Sequence, residues 1–143
     1  MLRSLVRRRR GSAMVEFALV APLLILILVG IMVMGVIINA KIVVSGAARE
    51  AGRTWAVHKE DARARAKAAD SITGGGLKIA ADSRVLFDPG HDVQFQRQGD
   101  YIHVTVTYRQ PTLIPLLAWL IDPSSPSDGT ITLRSQAVFR VER

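Results

Sequence analysis

An α+β fold is predicted, with a long N-terminal helix that spans a membrane in its first half and packs in its second half on a small antiparallel sheet. Three observations predict it. Residues 17–40 are a run of 24 without a single charge. The stretch that follows, to residue 73, is dense in Ala, Arg, Glu and Lys and free of proline, which is helix composition. From Leu77 onward apolar residues tend to recur at every second position among Val, Thr, Tyr and Phe, the period of a strand.

The uncharged run comes first because it constrains everything after it. At 1.5 Å per residue its length is about 36 Å, more than the roughly 30 Å of hydrocarbon in a bilayer. A cleavable secretory signal has an apolar core of only about 7–15 residues and a small-residue cleavage site. This run instead ends Ile37-Ile38-Asn39-Ala40-Lys41, so a retained membrane helix over residues 12–40 is expected, with membrane lipid as its surroundings. The net charge of +7 invites a nucleic-acid reading, but its distribution argues against one. Arg3 and the cluster Arg7, Arg8, Arg9 and Arg10 carry five positive charges, while residues 41–143 hold fourteen basic against eleven acidic residues. A basic cluster before a membrane helix holds that flank in the cytoplasm. The arginines are therefore a topology anchor, residues 41–143 lie outside, and no nucleic-acid partner is expected. With no cysteine, disulfides and thiolate metal sites are excluded.

Beyond the membrane, residues 41–73 are expected to continue the helix, with Val44, Ala48, Ala51, Trp55, Ala62, Ala66 and Ala69 on one slender apolar face. Glu60 with Arg63, and Asp61 with Arg65, stand at pairing distance along such a helix. Gly74-Gly75-Gly76 ends it, since glycine readily takes the conformations of a helix C-terminus. No phosphate-loop pattern surrounds the triplet. Residues 77–143 are read as β-rich. Leu77–Ala80 and Arg84–Phe87 are short candidate strands, and Val93–Arg97 joins "YIHVTVTYR" through a Gly99-Asp100 turn. In that second arm Ile102, Val104, Val106 and Tyr108 share the face expected to meet the helix. Residues 111–122, "PTLIPLLAWLID", are too short to span a bilayer and read as a loop or short amphipathic helix that includes Trp119. A final strand places Ile131, Leu133, Ala137, Phe139 and Val141 together.

Catalytic chemistry has no signature in this chain. His58, His91 and His103 are scattered without metal-ligand spacing, and no serine stands in a GxSxG context. No enzyme, no cofactor and no metal are expected. The unusual residue is Glu16, an acid at the mouth of the apolar run, where a carboxylate needs a partner. Pro22 lies inside the run, where it removes a helix hydrogen bond and allows a kink.

Basic residues, then Gly11, then Ser12-Ala13-Met14-Val15-Glu16-Phe17 and an apolar helix resemble the processing site of type IV prepilins and pseudopilins. The order "GSAMVEFALVAPLLILILVGIMVMG", "VSGAAREAGR" and a last strand ending "AVFRVE" is similar to the TadE-like branch of tight-adherence pilus proteins, most specifically over residues 9–53. Around Val33–Gly35 some members carry an acidic or aromatic residue, whereas this chain stays apolar. The resemblance implies a pilin-like fold and a membrane-embedded prepilin peptidase as partner. That peptidase would remove residues 1–11 as a basic leader by cutting between Gly11 and Ser12. It implies a pseudopilin or minor pilin in the inner membrane, or in the fibre, meeting other pilin subunits and the assembly platform. Glu16 would then be the fifth residue of the mature chain, followed by Phe17, and would pair with the amine exposed at Ser12. Two readings compete with this one. The first is an uncleaved, single-pass adhesion or envelope-scaffold protein. The second, a hydrolase carried by the outer domain, lacks a catalytic constellation.

Overall fold

The computed structural model describes the backbone of residues 2–81, 84–112 and 129–141, and side chains from Ala13 onward except at residues 81 and 84. In order it contains α1 (Leu2–His58), α2 (Asp61–Gly74), β1 (Ala80–Ala81), β2 (Arg84–Val85), α3 (Pro89–Asp92), β3 (Val93–Gln98), β4 (Tyr101–Pro111) and β5 (Thr130–Arg140). The expected α+β class, an apolar N-terminal helix with a small antiparallel sheet, is what the chain adopts. The segment 113–128, on which most of the loop or short amphipathic helix expected over residues 111–122 falls, Trp119 included, lies outside the described residues.

Two compact units divide the chain, one ending at Val36 and the other running from Ile37 to Arg143. In the first, the described side chains of α1 are apolar nearly all round and mostly exposed, among them Met14, Phe17, Leu19, Ile25 and Met32, with Val33 buried. A helix without a polar face is at home in lipid. It is the single helix among the described residues long and apolar enough to cross a membrane, which makes it compatible with a single-pass anchor.

The second unit is built on a three-stranded antiparallel sheet in the order β3-β4-β5, with β1 and β2 pairing separately. Gly99, with φ of 62°, makes the turn between β3 and β4. That left-handed conformation is one glycine adopts without steric cost. The β4–β5 register sets Ile102 opposite Phe139, Val104 opposite Ala137 and Tyr108 opposite Leu133. The alternation therefore buries the expected face: Ile102, Val104, Val106 and Tyr108 join Ile131, Leu133, Ala137 and Val141. Ala40, Val44, Ala47, Ala48 and Ala51 of α1 close the core from above. Alanines suit this contact because a short side chain lets helix and sheet approach closely.

One part of the helical expectation is corrected. The helix expected over residues 41–73 is interrupted at Lys59, whose φ is 56°, and at the extended Glu60. The break resets the phase, so Ala62 and Ala66 are exposed while Ala64, Ala68 and Ile72 are buried. A straight helix would carry Ile72 away from the sheet; the reversal returns it to the core. Asp61 is also diverted from Arg65. It accepts from Trp55 Nε1 at 2.7 Å, and Arg65 lies over the Phe95 ring, 5.7 Å from its centre. Trp55 stacks on the same ring, so the turn between helices is fastened by aromatic contact. Glu60 and Arg63 do pair, at 3.4 Å on the surface.

Burial of Tyr108 leaves its hydroxyl one outlet, the Lys78 carbonyl at 3.0 Å. Burial also holds the phenol above its ordinary pKa, against the opposing effect of that hydrogen bond. A raised native pKa means that its stabilising contribution is complete below the ordinary phenol value of about 10 and is lost as pH rises through the native one. Tyr108→Phe is expected to cost about 0.5–1.5 kcal/mol at neutral pH and to remove this component of alkaline destabilisation. Urea unfolding monitored across pH in detergent measures both.

Candidate functional site

The residues singled out at the membrane entry all fall in α1. Gly11 and Ser12 are helical, as are Arg7, Arg8, Arg9 and Arg10, although the side chains of these six lie outside the described residues. Glu16 and Phe17 are exposed, Phe17 by 71%. Pro22 lies inside α1, and the helix assignment continues through it. Along the helix Glu16 is the lone charge between Arg10 and Lys41, which isolates it chemically in the apolar run.

The second stretch of interest, "VSGAAREAGR" at residues 44–53, divides cleanly between core and surface. Val44, Ala47, Ala48, Ala51 and Gly52 are buried, while Arg49 and Arg53 are exposed. Glu50 pairs with Arg53 at 3.2 Å, and the hydrogen bond from Arg53 holds its carboxyl below the usual range despite a small opposing cost of burial. Such a surface pair contributes little to stability. Its place beside a shallow groove lined by Val43, Gly46, Ala47, Lys67 and Ser71 makes it part of an exposed helix surface.

Gly52 was not distinguished by sequence pattern, yet it carries the tightest constraint in this stretch. A Cβ there would stand 2.3 Å from Cε2 of Phe139. Only glycine lets the β5 ring lie across the helix. Gly52→Ala should gain up to about 1 kcal/mol in helix propensity and lose about 1–3 kcal/mol to overpacking, giving net destabilisation. Combining it with Phe139→Leu should recover most of the loss in a double-mutant cycle. An additive pair would disprove the contact.

The histidines do not converge. His58 Nδ1 lies 3.2 Å from Arg63, His91 Nδ1 lies 2.7 Å from Asp88, and His103 Nδ1 lies 3.2 Å from Gln136. Among the described residues no three His, Asp or Glu side chains group as metal ligands. At Asp88, the His91 hydrogen bond first and the Gly90 N–H second hold the carboxyl below its ordinary pKa. Asp88 also caps α3, a turn the strand pattern concealed although Asp88-Pro89 is a recognisable helix start.

Residues 11–53 match the family model described as TadE-like protein. No curated protein and no solved structure matches the chain. The matched segment contains both the membrane entry and the 44–53 stretch, and points to involvement in tight-adherence pilus systems.

Proposed function

We propose, from the TadE-like region at residues 11–53, that this chain is a pseudopilin or minor pilin of a tight-adherence pilus, matured by cleavage between Gly11 and Ser12. The observation that carries the reading is the position of the match, which begins at the glycine after which the cut falls. In this reading the chain is a peptidase's substrate, not an enzyme. Arg7, Arg8, Arg9 and Arg10 hold the leader in the cytoplasm, and the outer unit is periplasmic until the subunit enters a fibre.

The backbone supports a role for Gly11 beyond recognition. α1 runs unbroken across Gly11 and Ser12, and a helical peptide bond is shielded from a protease until the helix opens. Glycine weakens a helix by about 1 kcal/mol relative to alanine, which favours opening at this bond. The mature chain then begins at Ser12, and the new ammonium lies one helical turn from Glu16. Other subunits and the assembly platform meet the exposed apolar surface of α1.

Mass spectrometry of the membrane-extracted N-terminus tests the reading. The wild-type chain should begin at Ser12, with or without a methyl group on its amine, and Gly11→Ala should retain residues 1–11. A wild-type chain that begins at Met1 overturns cleavage and favours the uncleaved adhesion or scaffold protein.

A further inference from the structure

One end of the outer unit brings exposed cations and exposed isoleucines together. Three contacts define this end. Lys41 Nζ donates to the Arg134 carbonyl of β5. Gly75, past the C-terminus of α2, is packed so closely on Val43 that a Cβ would come within 2.4 Å. The Tyr108 hydroxyl reaches Lys78, and Tyr108 is paired with Leu133, the neighbour of Arg134. Lys41, Lys78 and Arg134 are thus gathered at one level of the unit, and all three are exposed.

Distance along α1 shows which end this is. Lys41 is the first charge after the uncharged run. Phe139 crosses Gly52, eleven residues and about 16 Å further along the helix. β5 therefore runs in the same direction as α1, with Arg134 near the end of the membrane run and Arg140 away from it. The exposed positions of α1 follow the same gradient. Ile38 and Ile42 are apolar and more than half exposed, while Arg49 and Arg53, further along, are charged.

Two carboxylates near this level are already engaged, and Asp70 is exposed. Asp92 is bound by Arg109 at 3.2 Å, and Asp88 by His91 at 2.7 Å; Asp70 projects from α2 one turn before Gly74. Among the described residues, Lys41, Lys78 and Arg134 enter no ion pair. Exposed isoleucines beside unpaired cations match the boundary of a bilayer, where apolar groups meet acyl chains and cations meet phosphates.

We propose that this end of the outer unit, through Ile38, Ile42, Lys41, Lys78 and Arg134, docks on the headgroups of anionic phospholipids while the subunit resides in the membrane. The docking rests on the membrane span of α1 and is independent of cleavage at Gly11. It would hold the outer unit against the bilayer surface and give the subunit a defined height before assembly.

The absence of native cysteine allows single-cysteine labelling of the full chain. Fluorophores at Ile42 and Thr132 report the proposed docking end, those at Arg53 and Val138 report the distal part, and one at Ile25 reports the bilayer interior. In vesicles of phosphatidylcholine and phosphatidylglycerol with a headgroup nitroxide, quenching at Ile42 and Thr132 should exceed that at Arg53 and Val138 at least twofold. The combined variant Lys78→Gln/Arg134→Gln should lower quenching at Thr132 to its value in pure phosphatidylcholine, with Val138 unchanged. Equal quenching at all four positions, or quenching at Thr132 indifferent to lipid charge and to the variant, overturns the docking. An acyl-chain nitroxide separates the two ideas. Quenching at Ile25 without the near-to-far difference sinks the docking alone, whereas no quenching at Ile25 sinks the membrane span as well.

Discussion

Glu16→Ala is expected to leave membrane insertion and removal of residues 1–11 intact and to reduce pilus yield at least tenfold. Insertion survives because the substitution makes an already apolar helix more apolar. Cleavage survives because the proposed scissile bond precedes Ser12, with Gly11 unchanged. Assembly suffers for an electrostatic reason. The proposed cleavage would leave an ammonium at Ser12, and in a medium that excludes water this charge needs an anionic partner. Glu16, four residues on, is the one acid in the run. An isolated charge within a membrane helix costs about 2.5–3.5 kcal/mol at the centre and less toward the ends. Only about 1.4 kcal/mol of it is needed for a tenfold effect on an equilibrium. Glu16→Gln, which keeps a hydrogen-bond acceptor but not the charge, should fall between alanine and wild type. Counting fibres against mature subunit in the membrane checks both variants, and wild-type yield from Glu16→Ala would refute the pairing.

Asp92→Ala should destabilise the second unit, Ile37–Arg143, by about 2–3 kcal/mol, the largest loss expected from a single polar truncation there. Asp92 is 5% exposed and accepts from both terminal nitrogens of Arg109, each at 3.2 Å, and from the Asp88 backbone N–H at 2.8 Å. Truncation strands the guanidinium on β4 and a part-buried amide at the start of α3. A fully buried pair broken in this way costs about 3–5 kcal/mol, and the partial exposure of Arg109 reduces the figure because water resolvates the freed cation. Asp92→Asn retains an oxygen for the Asp88 amide and should lose less. Urea unfolding of the detergent-solubilised chain gives both values; a loss below about 0.5 kcal/mol, the scale of ordinary surface substitutions, would show that the pair carries no such weight.

Local pattern sufficed for the elements whose cause is local. The charge-free run, the alternation in β4 and β5, and the Gly99-Asp100 turn each follow from spacing within a dozen or so neighbouring residues. The β4 core face could be named from Ile102, Val104, Val106 and Tyr108 because a period of two leaves one choice of face once one side is buried. The TadE-like resemblance was legible for the same reason, since the residues that carry it at the membrane entry, Gly11, Ser12, Glu16 and Phe17, lie within two helical turns. α3 was hidden because a four-residue turn leaves almost no periodic trace.

By itself, then, the sequence determined a membrane-length apolar helix, its basic flank, an α+β class and a TadE-like N-terminal region. Tertiary structure alone decided where the outer helix breaks and which residues meet across the unit. Nothing local marks Lys59 as a break, as neither proline nor glycine stands there; the turn is held by Trp55 on Phe95 and by the return of Ile72 to the sheet. That turn shifted the buried face of α2 from Ala62 and Ala66 to Ala64 and Ala68. Gly52 under Phe139, Asp92 with Arg109 and Lys41 at Arg134 join residues far apart in the chain. Helical and strand periods encode which way a side chain faces, but not what it will face, and that is set only when helices and sheet compete for the same apolar surface.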